Sequence, residues 1–393
     1  IYLNGKLINK AAKIELIKID CASENLCKKE NLDNIKIIYS ILGQNKKKSS
    51  TIAFWSNTVN THLSKLYKAD STNLKKNIFL NIQDDKIIFN TGIIKIDKPI
   101  FIPSNFKVII NPGTEIIFSN EGHIISKSPV YFKGLLENPI LVRSNFDGNI
   151  KSFRSNNLNQ NIQKLKNGYG ITVINTKNVS EIQHTIFYRM SAPPLLSGLG
   201  ISGSINFYQS DVRIKNSKFM ENIAGDDFLN IIRSNFVINN CIFKDVNLDA
   251  IDIDFSKGVM SKLNFKEIGN DALDFSGSSV DVRNTVIYGA VDKAISIGEK
   301  SKISIENISI LNSKVGLASK DNSKVEARKV EIKNTRYGVV AYEKKNEYGP
   351  SKININEILI SNSEEKFLVE KGSSIKVNNR DIPSVDFDFK NFK

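Results

Sequence analysis

Residues 228–256 read FLNIIRSNFVINNCIFKDVNLDAIDIDFS, and this stretch decides the fold because its pattern starts again every 22 residues. Each copy opens on one column of mostly small residues: Phe228, Ala250, Ala272, Ala294, Gly316 and Gly338. Two short segments of alternating polarity follow, such as IDIDFS and VDVRNTVI, and this alternation is typical of half-buried strands. A unit this short cannot bury its apolar side alone, so its copies must stack. The pattern predicts an all-β fold, a right-handed parallel β-helix with about 22 residues per coil.

We expect the β-helix to span residues 78–380. Residues 145–168 and 189–204 interrupt the repeat with polar or Pro, Gly and Ser-rich sequence, which is typical of loops bordering a groove. Residues 1–77 lack the repeat and contain strand-like segments and a possible helix over 61–69. We interpret 1–77 as an N-terminal α+β segment or cap, or as the tail of a preceding domain. The first residue is Ile1, which indicates a fragment or a processed product.

The charge of the chain favours acidic partners. Its 55 Lys and Arg against 41 Asp and Glu give a net charge of +14, which suits uronate polysaccharides, anionic envelope surfaces or nucleic acid. Lys, Asn and Ile are abundant throughout, so a general composition bias explains the charge equally well. No basic stripe with interleaved aromatic residues is present, so we expect no nucleic-acid partner. No apolar run is long enough to predict a transmembrane segment.

The three cysteines give little sign of a metal site. Cys21 and Cys27 lie close enough in sequence to form a small disulfide loop in an oxidising compartment. Cys241 lies at an apolar strand position and is expected to be a small buried hydrophobe. Neither the cysteines nor the three histidines have the spacing of a zinc site.

Asparagines form a further column, at the turn inside the second strand of the repeat. They are Asn216, Asn240, Asn284 and Asn307. Side-chain hydrogen bonds at this turn would stack one coil on the next.

Aspartates occupy two columns over three neighbouring copies. Asp227, Asp249 and Asp271 precede the first strand, and Asn230, Asp252 and Asp274 follow three residues later, with Asp254 two residues beyond Asp252. Because Leu229, Ile231 and their copies should face the core, the second column faces outward. Stacked strands lie about 4.7–4.9 Å apart, so Asp252 and Asp274 would repel each other. A bound cation, a raised pKa, or pairing with Arg233, Lys257 or Lys262 would relieve this repulsion.

Three interpretations of the aspartates remain open. In the first, Asp227, Asp249 and Asp271 make turn hydrogen bonds and the outward aspartates are solvated. In the second they form a sugar-processing site, in which one carboxyl donates a proton and another activates water. Its catalytic candidates are Asp227, Asp249, Asp252 and Asp274, with Arg233 as a base if the enzyme is a lyase. In the third, Asp252, Asp254 and Asp274 bind calcium. No other cofactor is expected.

IPSNFKVIINPGTEIIF (102–118) and VYFKGLLENPILVRS (130–144) resemble the opening coils of bacterial right-handed β-helix proteins of the pectin-lyase-like superfamily. The resemblance covers about residues 78–363 and implies the fold. That superfamily contains polysaccharide lyases, inverting glycosidases, uronate epimerases and adhesins, so the fold alone does not imply one activity. GDDFLN shares a double Asp with the pectin-hydrolysing glycosidases, but their other motifs are missing. No catalytic residue can therefore be transferred from them.

Two functions remain open. The first is a secreted or cell-envelope bacterial protein, expected to be a monomer, that binds acidic polysaccharide or envelope glycan through an Asp-rich outer face, with cleavage of the bound glycan as an open extension. The second is a non-catalytic structural or adhesion module accessory to another domain. Convergence of the aspartates on one point would favour an enzyme, whereas a flat ladder would favour the second function.

Overall fold

The computed structural model describes residues 2–3, 6–7, 36–40, 47–51, 74, 77–150, 167–193 and 201–386. The chain divides into two compact units, Ile1–Asn60 and Thr61–Lys393. The predicted domain boundary at residue 77 therefore falls inside the second unit. The possible helix over 61–69 and the pair Cys21 and Cys27 lie outside the described residues.

The first unit contains one antiparallel sheet in the order β2-β1-β3-β4. Its strands are β1 (Tyr2–Leu3), β2 (Lys6–Leu7), β3 (Lys36–Ser40) and β4 (Lys47–Thr51).

The second unit is a solenoid of about 12 turns, nearly all of it strand. The first half of the solenoid contains β5 (Leu80–Gln83), β6 (Lys86–Phe89), β7 (Ile93–Ile96), β8 (Pro99–Ile102), β9 (Lys107–Ile110), β10 (Glu115–Phe118), β11 (His123–Ser126), β12 (Val130–Lys133), β13 (Ile140–Ser144), β14 (Ile171–Ile174), β15 (Ser180–Gln183), β16 (Thr185–Tyr188), β17 (Gly203–Tyr208), β18 (Val212–Lys215) and β19 (Lys218–Met220). The second half contains β20 (Asp227–Ile232), β21 (Asn235–Val246), β22 (Asp249–Asp254), β23 (Lys257–Ile268), β24 (Leu273–Ser276), β25 (Ser279–Ala290), β26 (Lys293–Gly298), β27 (Lys302–Leu311), β28 (Val315–Lys320), β29 (Lys324–Tyr342), β30 (Lys352–Val369), β31 (Ser374–Val377) and β32 (Arg380–Asp381).

From β6 to β31 the strands of the solenoid pair in parallel with their copies in the next coil, as the repeat predicts, whereas β5 and β32 form antiparallel hairpins with β6 and β31. One sheet matters most for function, and we call it the aspartate-bearing sheet. It runs through β8, β11, β14, β17, β20, β22, β24, β26 and β28. From β21 onward the other side of each coil is one long strand bent at the asparagine column.

The core lies inside the coils. Leu229, Ile251 and Leu273 are fully buried, as are Ile231, Ile253 and Phe275, so the predicted inward positions are confirmed. Cys241 is also buried among apolar side chains, and burial raises the pKa of its thiol to about 12. One inner column is aromatic: Phe187, Phe219, Phe243 and Phe265 stack on one another. Phe187 is thus a core residue.

Two side-chain ladders connect neighbouring coils at their bends. In the predicted asparagine column, Asn240 donates to Asn216 at 2.7 Å and Asn307 donates to Asn284 at 2.7 Å. These asparagines adopt a left-handed backbone conformation, with φ between 49° and 56°, which Asn tolerates better than most residues. A serine ladder, which the sequence analysis missed, lies where the aspartate-bearing sheet ends: the backbone N–H of Ser234 donates to Ser256 Oγ, and that of Ser256 donates to Ser278 Oγ, each at 3.0 Å.

Within the described part of the chain, no helix is long and apolar enough to cross a membrane.

Candidate functional site

One outward column of the aspartate-bearing sheet is polar only in its middle. Its successive members are Phe101, Ile125, Thr172, Asn206, Asn230, Asp252, Asp274, Ser296, Ala318 and Val340. Asp252 and Asp274 are direct partners in the parallel ladder, as predicted. Polar side chains at six successive positions, with apolar ones on both sides, mark a local feature rather than a general property of the repeat.

The outward aspartates are only partly exposed, which counts against the interpretation in which they are simply solvated. Asn230 is 1% exposed and the side chain of Asp274 is 25% exposed. Asp252 and Asp254 are half-buried. Alternation along a strand gives the face on which a side chain lies, but it does not say whether other segments cover that face. Here Ile201, itself 1% exposed, packs outside the sheet against Ile125 and Ile174.

The first aspartate column connects one coil to the next. Asp249 Oδ1 accepts hydrogen bonds from the backbone N–H of Asp271 at 2.7 Å and from Asn270 Nδ2 at 2.6 Å. Asp271 Oδ1 accepts the backbone N–H of Lys293 at 2.8 Å. Turn hydrogen bonds were one interpretation of this column, and the observed bonds run from one coil to the next. They satisfy backbone donors at the start of the next strand, where the ladder alone leaves them unpaired.

Asn230 connects the two columns. Its Nδ2 donates to Asp227 Oδ2 at 3.2 Å and to Asp252 Oδ2 at 2.8 Å. Asp227 also accepts a short hydrogen bond from Ser202 Oγ, and Asp227 is 2% exposed. Asp227 is therefore a buried member of the cluster, whereas Asp252 and Asp274 are its partly accessible members.

Two lysines that the sequence analysis missed carry positive charge into the cluster. Lys293 Nζ lies 3.5 Å from Asp271 Oδ1 and also contacts Asp292. Lys320 is 7% exposed, and its Nζ donates to Ser296 Oγ at 2.9 Å and lies 3.9 Å from Asp274 Oδ1. Lys320 reaches this position across Gly298, where an added Cβ would lie 2.7 Å from Lys320 Cε.

The basic residues expected to relieve the repulsion lie elsewhere. Lys257 and Lys262 are exposed on β23, outside the aspartate-bearing sheet. Arg233 is also exposed; it donates to the Tyr208 hydroxyl at 2.9 Å and lies over the Phe255 ring. Its positive charge acts on Asp254 at the edge of the cluster. The structure thus places Arg233 beside the cluster rather than within it.

Burial raises the pKa of five aspartates in the cluster. Burial and the charge of Asp271 raise the pKa of Asp249 to about 7. Burial raises the pKa of Asp254 to about 6, with a further contribution from Asp274. Burial also raises that of Asp271 to about 6, although Lys293 opposes the shift. Burial raises the pKa values of Asp227 and Asp252 well above the usual range. Repulsion from Asp227 raises the pKa of Asp252 further. At least one carboxyl can therefore keep a proton near neutral pH.

One group of carboxylates in the described part of the chain could converge on a metal ion: Asp249, Asp271 and Asp274, whose ligand oxygens all lie within 4.8 Å of one another. This group shares only Asp274 with the predicted calcium ligands, Asp252, Asp254 and Asp274. Hard oxygen donors suit calcium. However, the ammonium groups of Lys293 and Lys320 already lie beside two of the three carboxylates.

Comparison with known proteins agrees with the fold. A protein-family model described as "Right handed beta helix region" matches residues 232–382. Among solved structures, the periplasmic alginate epimerase AlgG is similar over 80% of this chain and 82% of its own, with 11% identity and a TM-score of 0.38. A GH87 alpha-1,3-glucanase catalytic domain covers 75% of this chain and 65% of its own, with 15% identity and a TM-score of 0.30. Endopolygalacturonase I from Stereum purpureum covers 77% and 96%, with 10% identity and a TM-score of 0.38.

No curated protein matches the chain. At these identities the structural likeness concerns the fold alone. The matching family model and the parallel strand pairing confirm the predicted right-handed parallel β-helix, while the activity has to be argued from the site itself.

Proposed function

We propose that the protein is a secreted or cell-envelope β-helix protein that binds acidic polysaccharide and hydrolyses it at the aspartate cluster. The observation that carries this proposal is the pair Asp252 and Asp274. They are neighbours in the ladder, both partly accessible, and surrounded by buried carboxyls and lysines. Around this pair, Asn230 joins Asp227 to Asp252, and oxygens of Asp249, Asp271 and Asp274 lie within 4.8 Å of one another. This convergence supports an enzyme over a flat acidic ladder.

The two carboxyls have different surroundings, and this gives them different roles. Burial and the neighbouring Asp227 raise the pKa of Asp252, so Asp252 is the general acid that protonates the leaving glycosidic oxygen. Asp274 lies beside the Lys320 ammonium and acts as the nucleophile that forms the glycosyl–enzyme bond. Water then hydrolyses this bond, with Asp252 accepting its proton. The ladder spacing of about 4.7–4.9 Å lies near the carboxyl separation of about 5–5.5 Å in retaining enzymes.

Turnover by two isosteric variants tests this assignment. Asp252→Asn and Asp274→Asn should each lower the release of reducing ends from uronate oligosaccharides by about 10²-fold or more, because each removes one half of the acid and nucleophile pair. Assays with calcium and with a chelator show whether a metal ion takes part. Asp281→Asn is the matched control, since the side chain of Asp281 on β25 is 42% exposed and pairs with Arg283.

Both site variants should keep the melting temperature of the native protein, because each substitution preserves the shape of a side chain. Wild-type turnover in both variants would rule out hydrolysis at this pair.

A structural or adhesion module is the second candidate, and one observation favours it. Asp227, Asp249 and Asp271 are each held by hydrogen bonds within the protein, so part of the cluster connects coils whether or not a ligand binds. In this case the site variants would change melting temperature and leave glycan binding unchanged.

A further inference from the structure

The loop 343–349 lies beside the aspartate cluster and is fixed by a buried carboxylate. It interrupts the repeat between Tyr342, where β29 ends, and Lys352, where β30 begins. Asp321 is 0% exposed, and its Oδ1 accepts the backbone N–H groups of Lys344 at 2.8 Å and Lys345 at 2.6 Å. A buried carboxylate bound to two backbone donors fixes the direction in which the next side chains leave the loop.

Further contacts hold the loop on both sides of Lys344. The Lys345 ammonium pairs with Glu299, and the backbone N–H of Glu343 donates to Glu370 Oε2 at 2.5 Å. Lys300 lies over the ring of Tyr348, 5.5 Å from its centre. The loop therefore has several attachments to neighbouring coils, and these attachments do not use the side chain of Lys344.

Lys344 differs from the other cations of the site. Lys293 and Lys320 each lie beside a carboxylate of the cluster, and Lys345 is paired with Glu299. Lys344 is exposed and forms no ion pair with any residue in the described ranges. Partial burial and the like charges of Lys320 and Lys293 lower its pKa, while Asp274 opposes the shift. The backbone of Lys344 is bound by Asp321, which directly follows Lys320, and the Lys320 ammonium lies 3.9 Å from Asp274 Oδ1. Lys344 therefore leaves the loop on the side of the aspartate cluster.

We propose that Lys344 binds the carboxylate of the uronate unit that occupies the aspartate cluster, and thereby selects acidic over neutral glycans. This inference rests on the proposed function for the identity of the substrate. An ammonium held among like charges gains more from an arriving anion than one that is already paired, because the anion relieves the repulsion. The rigid loop also avoids the cost of ordering a mobile cation when the ligand binds.

Chemical protection tests this assignment without relying on catalysis. The full chain is treated with a lysine-acetylating reagent, with and without oligogalacturonate or oligomannuronate, and the acetylation of each lysine is measured by mass spectrometry. At least one of the two uronates should slow the acetylation of Lys344 by about 10-fold. Lys324, an exposed residue of β29 on another face, is the internal control and should react equally in both samples. Unchanged acetylation of Lys344 in the presence of both uronates would overturn the inference.

Substitution adds a second readout. Lys344→Gln should raise the KM or the Kd for the uronate oligosaccharide about 10-fold, leave kcat within about 2-fold, and leave a carboxyl-reduced oligosaccharide unaffected. Lys344→Arg should restore most of the affinity, and Lys324→Gln should behave like the native protein.

Equal losses on the charged and the reduced ligand would also overturn the inference, because they would show a general structural role. The two proposals fail separately. Full turnover in Asp252→Asn and Asp274→Asn would remove hydrolysis at that pair, while protection of Lys344 by uronate would still establish the binding site.

Discussion

Asp249 is a single side chain whose protonation should contribute to the stability of the solenoid. It is 7% exposed, and burial with the charge of Asp271 raises its pKa from 3.8 to about 7. Between about pH 4 and about pH 7 the folded protein thus holds a proton that the unfolded chain has released. The free energy of unfolding should therefore fall as pH rises through this window and level off above it. At about 1.4 kcal/mol per pKa unit, Asp249 accounts for at most about 4 kcal/mol.

Asp249→Asn should flatten this decline. The amide keeps an oxygen in the place of Oδ1, which accepts from the Asp271 backbone and from Asn270, and it does not ionise. Urea unfolding at several values between about pH 4 and about pH 8 measures the slope. A residual slope should remain, because Asp254 and Asp271 also have pKa values raised to about 6. Asp281→Asn is the control, and a slope equal to the native one in Asp249→Asn would contradict the assignment.

The sequence could predict which aspartates share a column, because the 22-residue spacing sets the register of a parallel ladder. It could not predict their counter-ions. Lys320 reaches Asp274 from a position two coils further along the aspartate-bearing sheet, across Gly298. Only the absence of a side chain at residue 298 leaves room for it. Arg233 and Lys257 are closer in sequence, yet Arg233 lies only at the edge of the cluster, near Asp254, and Lys257 lies on β23, outside the aspartate-bearing sheet.

The stacked phenylalanines inside β16, β19, β21 and β23 contribute strongly to the stability of this part of the coil. Phe243 lies between Phe219, with ring centres 4.5 Å apart, and Phe265, at 5.1 Å. It is 0% exposed. Phe243→Ala should lower the free energy of unfolding by about 3–5 kcal/mol, because it creates a cavity and removes both ring contacts.

Thermal and urea unfolding of Phe243→Ala test this expectation. Phe255→Ala is a matched control, since Phe255 is 56% exposed and its loss should cost less than about 1 kcal/mol. Equal destabilisation in the two variants would show that the stacked column is not the source of the stability.

The bends between strands show which features of the repeat could be predicted from the sequence and which could not. The asparagine column was evident because one residue type recurs with the left-handed preference of a tight turn. The same turn also contains Lys262 and Lys329, with φ of 55° and 54°, so the geometry of the fold imposes the conformation even without Asn. Ser234, Ser256 and Ser278 have the same 22-residue spacing, and the serine ladder could have been found from it. It was missed because serine is common in any loop.

Across the whole solenoid, sequence reasoning predicted the architecture because each coil contacts only its neighbours, so local patterning determines the overall arrangement. The repeat pattern did not predict which parts of the outer face are covered by other segments of the chain. Burial at Asn230 depends on segments that break the repeat, and a repeat pattern contains no information about them. For the same reason, a raised pKa among the aspartates could be predicted, but the particular residues with raised pKa values could not.

The stacked architecture predicts a gradient of stability from the ends to the middle. The site strands β20, β22 and β24 have partners on both sides, and their inward residues are fully buried. Among the described strands, β5 and β32, in contrast, each pair with a single neighbour in an antiparallel hairpin, and both are largely exposed. Backbone amides of the site strands should therefore exchange with solvent deuterium only through global unfolding, whereas those of β5 and β32 should exchange by local fraying.

Native-state hydrogen exchange measured by mass spectrometry compares these segments directly. We expect peptides covering Asp249–Asp254 to be protected by several kcal/mol more than those covering Leu80–Gln83 or Arg380–Asp381. Phe243→Ala should reduce protection most in the coils next to β21, because in a solenoid a local defect affects nearest neighbours first. Uniform protection along the chain would instead indicate one fully cooperative unit. A gradient would show that the aspartate cluster lies in the most persistent part of the fold, where the positions of Asp252 and Asp274 are held before any glycan binds.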